Sequence, residues 1–523
     1  MPQNQAAPPA LREFAVLVHP ADNVAVVKSE IAAGQQLALP DGRIVTTTGP
    51  VTPGHRLATR PVAAGEFVLQ YGQPIGTSRG IAEGDPITVR NMSNDVPVVR
   101  DLPADLHVPA PVLTPEALRP TWRGYRRADG RVGTRNFLLI VPTSMCASHE
   151  SQQIATLAEY TLYSRARFPE VDGIVAIPHN KGCGCSDGSN IDVMLRTLSN
   201  YATHPNVGGV IFIGLGCEKT NLTAVEQYLQ HERIDLGRPV VRFGIQEMGG
   251  TQAVIDRGLT EVEAMLPLVN DLARTDAGMH ELSLGVKCGG SDGFSGLSAN
   301  PALGHAADLL IADGGTVLIT EVPEFCGAEH ILAQRAKDRA TGEAVYAMVD
   351  WYKEYAAKFG TVLNENPSPG NVAGGLLNIT IKSLGAIAKA GTTRVEGVTG
   401  YAEVPAGRGL WLMQGPGYDQ ESTPGLVAAG AQVVVFTTGR GTTIGNAVAP
   451  VIKLASNSAV HARMSRDLDL SAGGIIDGTE TIEQVGRRVY EHVRRVASGE
   501  VAARAEETKH REFGIWAEQS VSL

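Results

Sequence analysis

Between Trp122 and Phe243 the chain repeats one pattern: a short, unbroken apolar run, then a segment of helical character, then a glycine-containing turn. The runs are Phe137–Val141, Val171–Ile177, Gly209–Gly214 and Val240–Phe243. A strand that reads as continuous Val, Ile and Leu, with no alternation, is a strand buried on both faces. The segments between them, about Glu150 to Arg165, Asp192 to Tyr201 and Thr223 to Gln230, read as helices. This alternation predicts an α/β fold with a parallel sheet and helices on both faces. Such sheets collect ligands beyond the carboxyl ends of their strands.

A second α/β unit with a mostly parallel sheet is expected from near Ser283. Its strands are Leu284–Val286, Thr316–Ile319, Leu410–Met413 and Val433–Thr437. Its helices are Ala302–Asp313, Gly327–Lys337 and Gly342–Phe359, with an amphipathic helix over Glu480–Ser498. Residues 12 to about 90 differ. Phe14–His19 and Asn23–Val27 read as short strands, and turn signals follow at Gly34, Asp41-Gly42, Pro53-Gly54, Gly65 and Gly72. That spacing predicts a small all-β unit. Residues 96–121 carry repeated X-Pro steps and read as an extended linker. The expected division is 1–95, 96–121, 122–280 and 281–523.

Charge and hydropathy exclude several functions. The net charge of −10 argues against a nucleic-acid surface. No stretch approaches the ~20 apolar residues of a membrane span. Met1–Leu11 is polar and lacks the basic and apolar regions of a secretory leader, so the expected location is cytoplasmic. The cysteines, 146, 183, 185, 217, 288 and 326, are then expected to be reduced. A homodimer is only the general expectation for a large enzyme.

The densest chemistry lies in Val286-Lys287-Cys288-Gly289-Gly290-Ser291-Asp292-Gly293-Phe294-Ser295-Gly296. A thiol, two hydroxyls, a carboxylate and glycines suit a small polar ligand better than a packed core. Similar clusters stand at 178–185, 214–218, 366–371 and 437–442. His179, Cys183, Cys217 and Glu218 fall just after predicted strands. His19 and His55 lie in turns, where histidine is ordinarily solvent-exposed but is also a common metal ligand. Arg440, between glycines and beside Thr442, suits a carboxylate, with an ordinary salt bridge as the alternative. Glu321 follows a strand and precedes a helix, where it would also complement the helix dipole. Gly214-Leu215-Gly216 lacks the third glycine of a dinucleotide fingerprint, and there is no phosphate loop, HExxH or GxSxG.

Taken together, the motifs resemble the altronate and galactarate dehydratase family over nearly the whole chain. They are HPADNVAV at 19–26, PGH at 53–55, GYRRADGRVGTRN at 124–136, HNKGCG at 179–184, IGLGCE at 213–218, CGGSDGFSGLSANPALG at 288–304, TEVPEFCGAEH at 320–330, NPSPGN at 366–371, KSLGAIAKAG at 382–391, FTTGRGT at 436–442 and REFGIW at 511–516. The Glu-Val-Pro-Glu run and the ending look nearer the altronate branch.

The resemblance implies an N-terminal β-clip domain of the SAF type, a divalent metal, usually iron, and dehydration of a sugar acid to a 2-keto-3-deoxy acid. Galactarate dehydration, sulfolactate C–S cleavage and a non-catalytic sugar-acid-binding role are the alternatives. Dehydration removes the C2 proton and the C3 hydroxide, which calls for a base, an acid and stabilisation of the enolate. His179 is the leading acid or base, with Glu218, Asp292 and Glu321 as carboxylate candidates. Ser291, Asn371, Arg440 and Thr442 are expected to orient substrate. The metal is expected on a subset of His19, His55, Cys183, Cys217 and Cys288, whose thiolates and imidazoles suit iron or zinc. An iron–sulfur cluster on three cysteines is the variant.

Overall fold

The computed structural model describes residues 7–232 and 234–518. Residues 1–6, the start of the polar segment Met1–Leu11, lie outside the described residues.

The N-terminal unit is built of small antiparallel sheets. Strand β1 (Val24–Val27) pairs with β2 (Arg56–Ala58) on one side and with Ala15–Val16 on the other. A hairpin of β3 (Phe67–Gln70) and β4 (Gln73–Ser78) turns at Tyr71-Gly72, both with positive φ. β1 is buried on both faces. Ala25 and Val27 meet the unit's own core of Leu37, Val45 and Leu57, while Val26 meets Phe294 and Leu297 of the distant polar cluster. The strand expected over Phe14–His19 is mostly absent. Leu11–Phe14 is a helical turn, and only Ala15 and Val16 pair. Leu11 is drawn into the core, and the Asp22 carboxylate accepts a bond from the His19 amide (2.9 Å), turning the chain away.

Residues 96–120 are extended apart from turns at 104–105 and Glu116–Leu118, and they are pinned to the surface. Arg100 grips Asp350 (2.5 and 2.7 Å) and Glu329 (3.1 Å), and Leu102 is buried.

The next unit runs β5 (Phe137–Pro142), α1 (Ser148–Thr161), β6 (Gly173–Ala176), α2 (Ser189–Ala202), β7 (Val207–Gly214), α3 (Leu222–His231), β8 (Val240–Gly244) and α4 (Thr251–Asn270). The strands are parallel in the order β6-β5-β7-β8. Successive side chains of a strand point to opposite faces. Leu138 and Ile140 therefore pack with Ile154 of α1 and Val262 of α4, whereas Leu139 and Val141 join the core that holds Leu198 and Tyr201 of α2. Helix α4 has no counterpart in the sequence expectations. Gly258 and Pro267 fall within its continuous length, and it is the close approach of Gly258 to Ile154 that seats it on α1.

The C-terminal unit contains β9 (Ser283–Cys288), α5 (Ala299–Ala312), β10 (Thr316–Ile319), α6 (Arg339–Lys358), α7 (Ile379–Ala386), β11 (Val395–Thr399), β12 (Gly409–Met413), α8 (Asp419–Ala428), β13 (Val433–Thr438), β14 (Val451–Ala455), β15 (Leu470–Ser471) and α9 (Ile482–Ala497). Its seven strands are parallel, in the order β11-β12-β10-β9-β13-β14-β15. The helix expected over Gly327–Lys337 shortens to Glu329–Gln334, because Gly327 has φ 88° and breaks its start.

The N-terminal unit docks at the carboxyl ends of this sheet through glycines. The Gly293 amide donates to Gly374 O (2.8 Å). A Cβ on Gly293 would lie 2.1 Å from Gly54 O, and one on Gly54 would lie 2.6 Å from Gly374 O. Buried Arg56 spans the joint, donating to Gly54 O (3.1 Å) and Gly375 O. Three backbones meet there with no room for side chains, which is one use of the glycines in the polar cluster.

Candidate active site

Cys288 ends β9, Glu321 follows β10, Asp419 begins α8 after β12, and Arg440 follows β13. The sheet thus brings four chain-distant loops to one edge. Beneath them lies an ionic cluster that is buried except at Asp419. Lys287 Nζ contacts Glu321 Oε1 and Asp419 Oδ1 (2.8 Å). Lys389 Nζ lies 3.0 Å from Glu321 Oε2 and 3.1 Å from Cys288 Sγ. Lys382 Nζ lies 2.7 Å from Glu324 Oε1. The Cys288 thiol donates to Glu324 Oε2 (3.3 Å). Burial pushes the Cys288 thiol up to about 12. Burial also works against the charge on Glu324, but the ammonium groups of Lys382, Lys389 and Lys287 outweigh it and hold the carboxyl down to about 2. Glu321 itself sits at φ 77°, a strained backbone for a residue with a side chain, as functional sites often show.

Among the described residues, Cys288, Glu321 and Glu324 are the one group of three metal-donor residues whose donor atoms fall within 4.8 Å. The surroundings do not fit a divalent ion. Lys389 Nζ already bridges Cys288 Sγ and Glu321 Oε2, so an ammonium stands where a metal between those donors would sit. A second positive ion beside three buried ammonium groups would meet strong repulsion at low dielectric. The resident cations of this cluster are its lysines.

Above it opens a cavity of about 500 Å³ between the N-terminal unit and the sheet edge. Lys28, Arg440 and Arg463 line it together with Asp292 and Asp477. Among the described residues none of the three cations has a carboxylate within salt-bridge range, so their charge is free to meet an anion. Asp292 is held with one oxygen loaded and one spare. Oδ1 accepts from Phe294 N, Ser295 N, Ser295 Oγ and Ser456 Oγ (2.9–3.1 Å). Oδ2 accepts from Asn457 Nδ2 alone (3.0 Å). Burial raises the Asp292 pKa above the usual carboxylate range, partly offset by those bonds.

Of the expected site residues, Asp292 and Arg440 line this cavity, whereas Ser291, Asn371, His55, Thr442 and His19 do not. The Asn371 amide donates to Ser291 O (2.8 Å), and Ser291 Oγ is buried with no partner among the described residues. His55 Nε2 meets Ala373 O (3.3 Å) beside the cavity wall. Thr442 lies farther along the Arg440 loop, its hydroxyl accepting from Ile444 N (3.4 Å). His19 is exposed, with Nδ1 accepting from Ala21 N (3.1 Å).

His179, Glu218, Cys183 and Cys217 belong instead to the other sheet. Both ring nitrogens of His179 are used: Nε2 donates to Pro142 O (3.0 Å) and Nδ1 accepts from Lys181 N (3.2 Å). Burial depresses its pKa to about 4, so the ring is neutral near pH 7. Glu218 accepts from Thr143 Oγ1, Leu215 N and Gly216 N (2.6–2.9 Å) and closes its own turn. No three of His19, His55, Cys183, Cys217 and Cys288 have donor atoms within 4.8 Å of one another. Sequence reasoning missed Lys287, Lys382, Lys389, Glu324 and Asp419. The only signal was their presence in or beside the glycine-rich segments.

A small β unit capping the ligand-binding edge of an α/β body, over an anion-sized cationic cavity with a poised carboxylate, defines an acid–base enzyme for small anions. Family comparisons give the particular lineage. Residues 13–95 match the altronate/galactarate dehydratase SAF domain, 124–270 the second domain of D-galactarate dehydratase/altronate hydrolase, and 279–521 the C-terminal domain of D-galactarate/altronate dehydratase. The chain is 36% identical over 467 residues to altronate dehydratase of Escherichia coli K12, covering 88% of this chain and 91% of that one. It is 34% identical to altronate dehydratase of Bacillus subtilis 168 (93% and 95% covered) and 35% identical to the L-threo-forming galactarate dehydratase of E. coli K12 (93% and 93%). A carbon monoxide dehydrogenase from Thermococcus sp. AM4 aligns with a TM-score of 0.17 at 8% identity, covering 72% of this chain and 61% of that one, too low for a shared fold. The chain belongs to the altronate/galactarate dehydratase family and is an enzyme of the hydro-lyase class.

Proposed function

We propose that the chain dehydrates a six-carbon aldonate, altronate first among them, to a 2-keto-3-deoxy acid in the cavity between its N-terminal unit and the C-terminal sheet. The observation that carries this is the cavity's charge. Three cations, Lys28, Arg440 and Arg463, face two carboxylates, Asp292 and Asp477, leaving one excess positive charge. That balance suits the single carboxylate of an aldonate better than the two of an aldarate.

Arg440 pairs with the substrate carboxylate, because a guanidinium offers two parallel donors. Asp292 takes the C2 proton on Oδ2, the oxygen with a free lone pair. Its raised pKa brings it nearer to the ideal for a base working near neutrality. The proton held there is then on hand for the hydroxide leaving C3, so one carboxyl can serve both steps. Asn371 holds the Ser291 carbonyl and with it the loop that carries Asp292. A cytoplasmic site of action is part of this reading, in keeping with six free cysteines.

The test is turnover of altronate, galactarate, glucarate and sulfolactate by anaerobic protein, with added Fe²⁺ and with chelator. Keto acid from altronate, lost in Arg440→Ala at the same substrate concentration, is the expected result. Preference for a diacid, or no product from folded and metal-loaded protein, would overturn the substrate assignment.

A further inference from the structure

The hairpin that joins β3 to β4 turns on Tyr71 and Gly72, at φ 61° and 68°. A two-residue turn with both φ values positive ordinarily takes Asn, Asp or Gly at its first position. A tyrosine there carries a strained backbone. Asp22 holds the strain in place: its carboxylate accepts from Tyr71 N (3.2 Å) and Gly72 N (2.8 Å). Nothing in the turn itself calls for so unfavourable a residue, so the reason lies with the side chain.

That side chain enters the body of the protein. Its ring packs against Val26, Phe294 and Leu297. Its hydroxyl ends between two glycines: a Cβ on Gly296 would collide with Tyr71 Oη, and one on Gly385 would lie 3.6 Å from it. Phenylalanine would fill the same channel. It would have nothing to offer the polar wall beyond. Tyr71 closes a space of about 10 Å³ that Ser291, Asp292, Asn300 and Lys382 also line, about the room one water needs. Ser291 Oγ is buried with no partner among the described residues. Among the described residues Asp292 alone lines both this inner space and the cationic cavity. Its carboxyl therefore has a substrate side and an inner side.

The charged groups around that carboxyl are few. Lys28, Arg440, Arg463 and Asp477 share the cavity with it, and Lys382 shares the inner space. Buried Arg56 lies close enough to act on both Tyr71 and Asp292. Burial pushes the Tyr71 phenol up to about 12, against the pull of Arg56, so near neutral pH it keeps its proton and can donate it in a hydrogen bond.

We propose that Tyr71 is a positioning residue for the dehydration: from the inner side of Asp292, with Ser291 Oγ and one water between them, its hydroxyl supports the ionised carboxylate that accepts the C2 proton. A hydrogen bond given to a carboxylate favours its charged form. The N-terminal unit thus supplies a working part of the site. Asp22 sets the turn, the turn aims the ring, and the hydroxyl completes the base. The inference rests on the reading of Asp292 as that base.

The full chain is compared with Tyr71→Phe, Ser291→Ala and Asp292→Asn in kcat and KM against pH, with thermal midpoints, on altronate or whichever of the four acids above gives keto acid. Tyr71→Phe keeps the ring and its packing and removes one donor. Its acidic limb should move up by about one pH unit. That shift lowers kcat about tenfold on the limb and leaves the plateau and KM within about twofold. Ser291→Ala should move the limb in the same direction, and it decides the matter if Tyr71→Phe does not fold. An unmoved limb in these variants, with the limb erased in Asp292→Asn, would overturn the inference and leave Asp292 as the base. A limb that survives in Asp292→Asn would remove the base assignment and this inference with it. An equal loss of kcat at every pH, with a lowered thermal midpoint, would make Tyr71 a packing residue only.

Discussion

Lys389 Nζ lies 3.1 Å from Cys288 Sγ, and both residues are shut off from solvent. The contact joins the end of β9 to the turn after α7, and Lys389 extends it to Glu321 Oε2 at 3.0 Å. Removing one member of a buried pair strands the other charge, at a cost of about 3–5 kcal/mol. Lys389→Met should therefore lose about that much stability in urea denaturation. Lys389→Met/Glu321→Gln should recover a substantial part of it. Equal destabilisation by the single and double variants would mean that packing, and not charge, holds the cluster.

The Arg440 side chain makes no hydrogen bond or ion pair among the described residues, while its backbone amide donates to Gly290 O (2.7 Å), so loss of the side chain should leave the fold intact. A charge-assisted bond to the substrate carboxylate is worth about 1.5–3 kcal/mol, or roughly 10–100-fold in affinity. Arg440→Ala should raise KM by that factor with little change in kcat, the pattern of lost uniform binding. An unchanged KM would remove Arg440 from the site.

Asp292 has to be ionised to act as a base, and burial raises its pKa. The rate should fall as pH drops through that raised value and level off above it. Asp292→Asn should lower kcat by about 10²–10⁴ and erase the acidic limb of the profile. A limb that survives in Asp292→Asn belongs to another group.

Burial depresses His179 to about 4 and His204 to about 3, and both rings bond as neutral imidazoles. Their unfolded values are near 6.5. The unfolded chain therefore binds more protons between those limits. The stability they contribute is complete above about pH 6.5 and is lost as pH falls toward 4. The loss is on the order of 3 kcal/mol for His179 alone. Denaturation midpoints measured from pH 7.5 to 4.5 should show it, and the slope should flatten in His179→Gln. A pH-independent midpoint would mean that acid reaches these rings without unfolding.

Local residue types were enough to determine most of the strands of the two parallel sheets. Phe137–Val141 and Val317–Ile319 read as strands buried on both faces, because their apolar character has no break to offer solvent and they are too short for helices. The glycine-rich polar clusters and Arg440 at strand ends were equally plain, since a packed core has little use for such a mixture. Helix Thr251–Asn270 escaped because Gly258 and Pro267 break its pattern, and only packing on Ile154 explains the glycine. Lys287, Lys382 and Lys389 escaped for a related reason. A lysine in a sequence reads as solvated, and nothing local shows that Glu321, Glu324 and Asp419, from far along the chain, will neutralise it. Tertiary structure likewise separated Cys288 from Cys183 and Cys217, placing one among ammonium groups and the others at a second sheet edge. Which polar groups a chain carries is set residue by residue. Which of them share one low-dielectric space depends on strand order and domain docking, and the tertiary structure alone decided that.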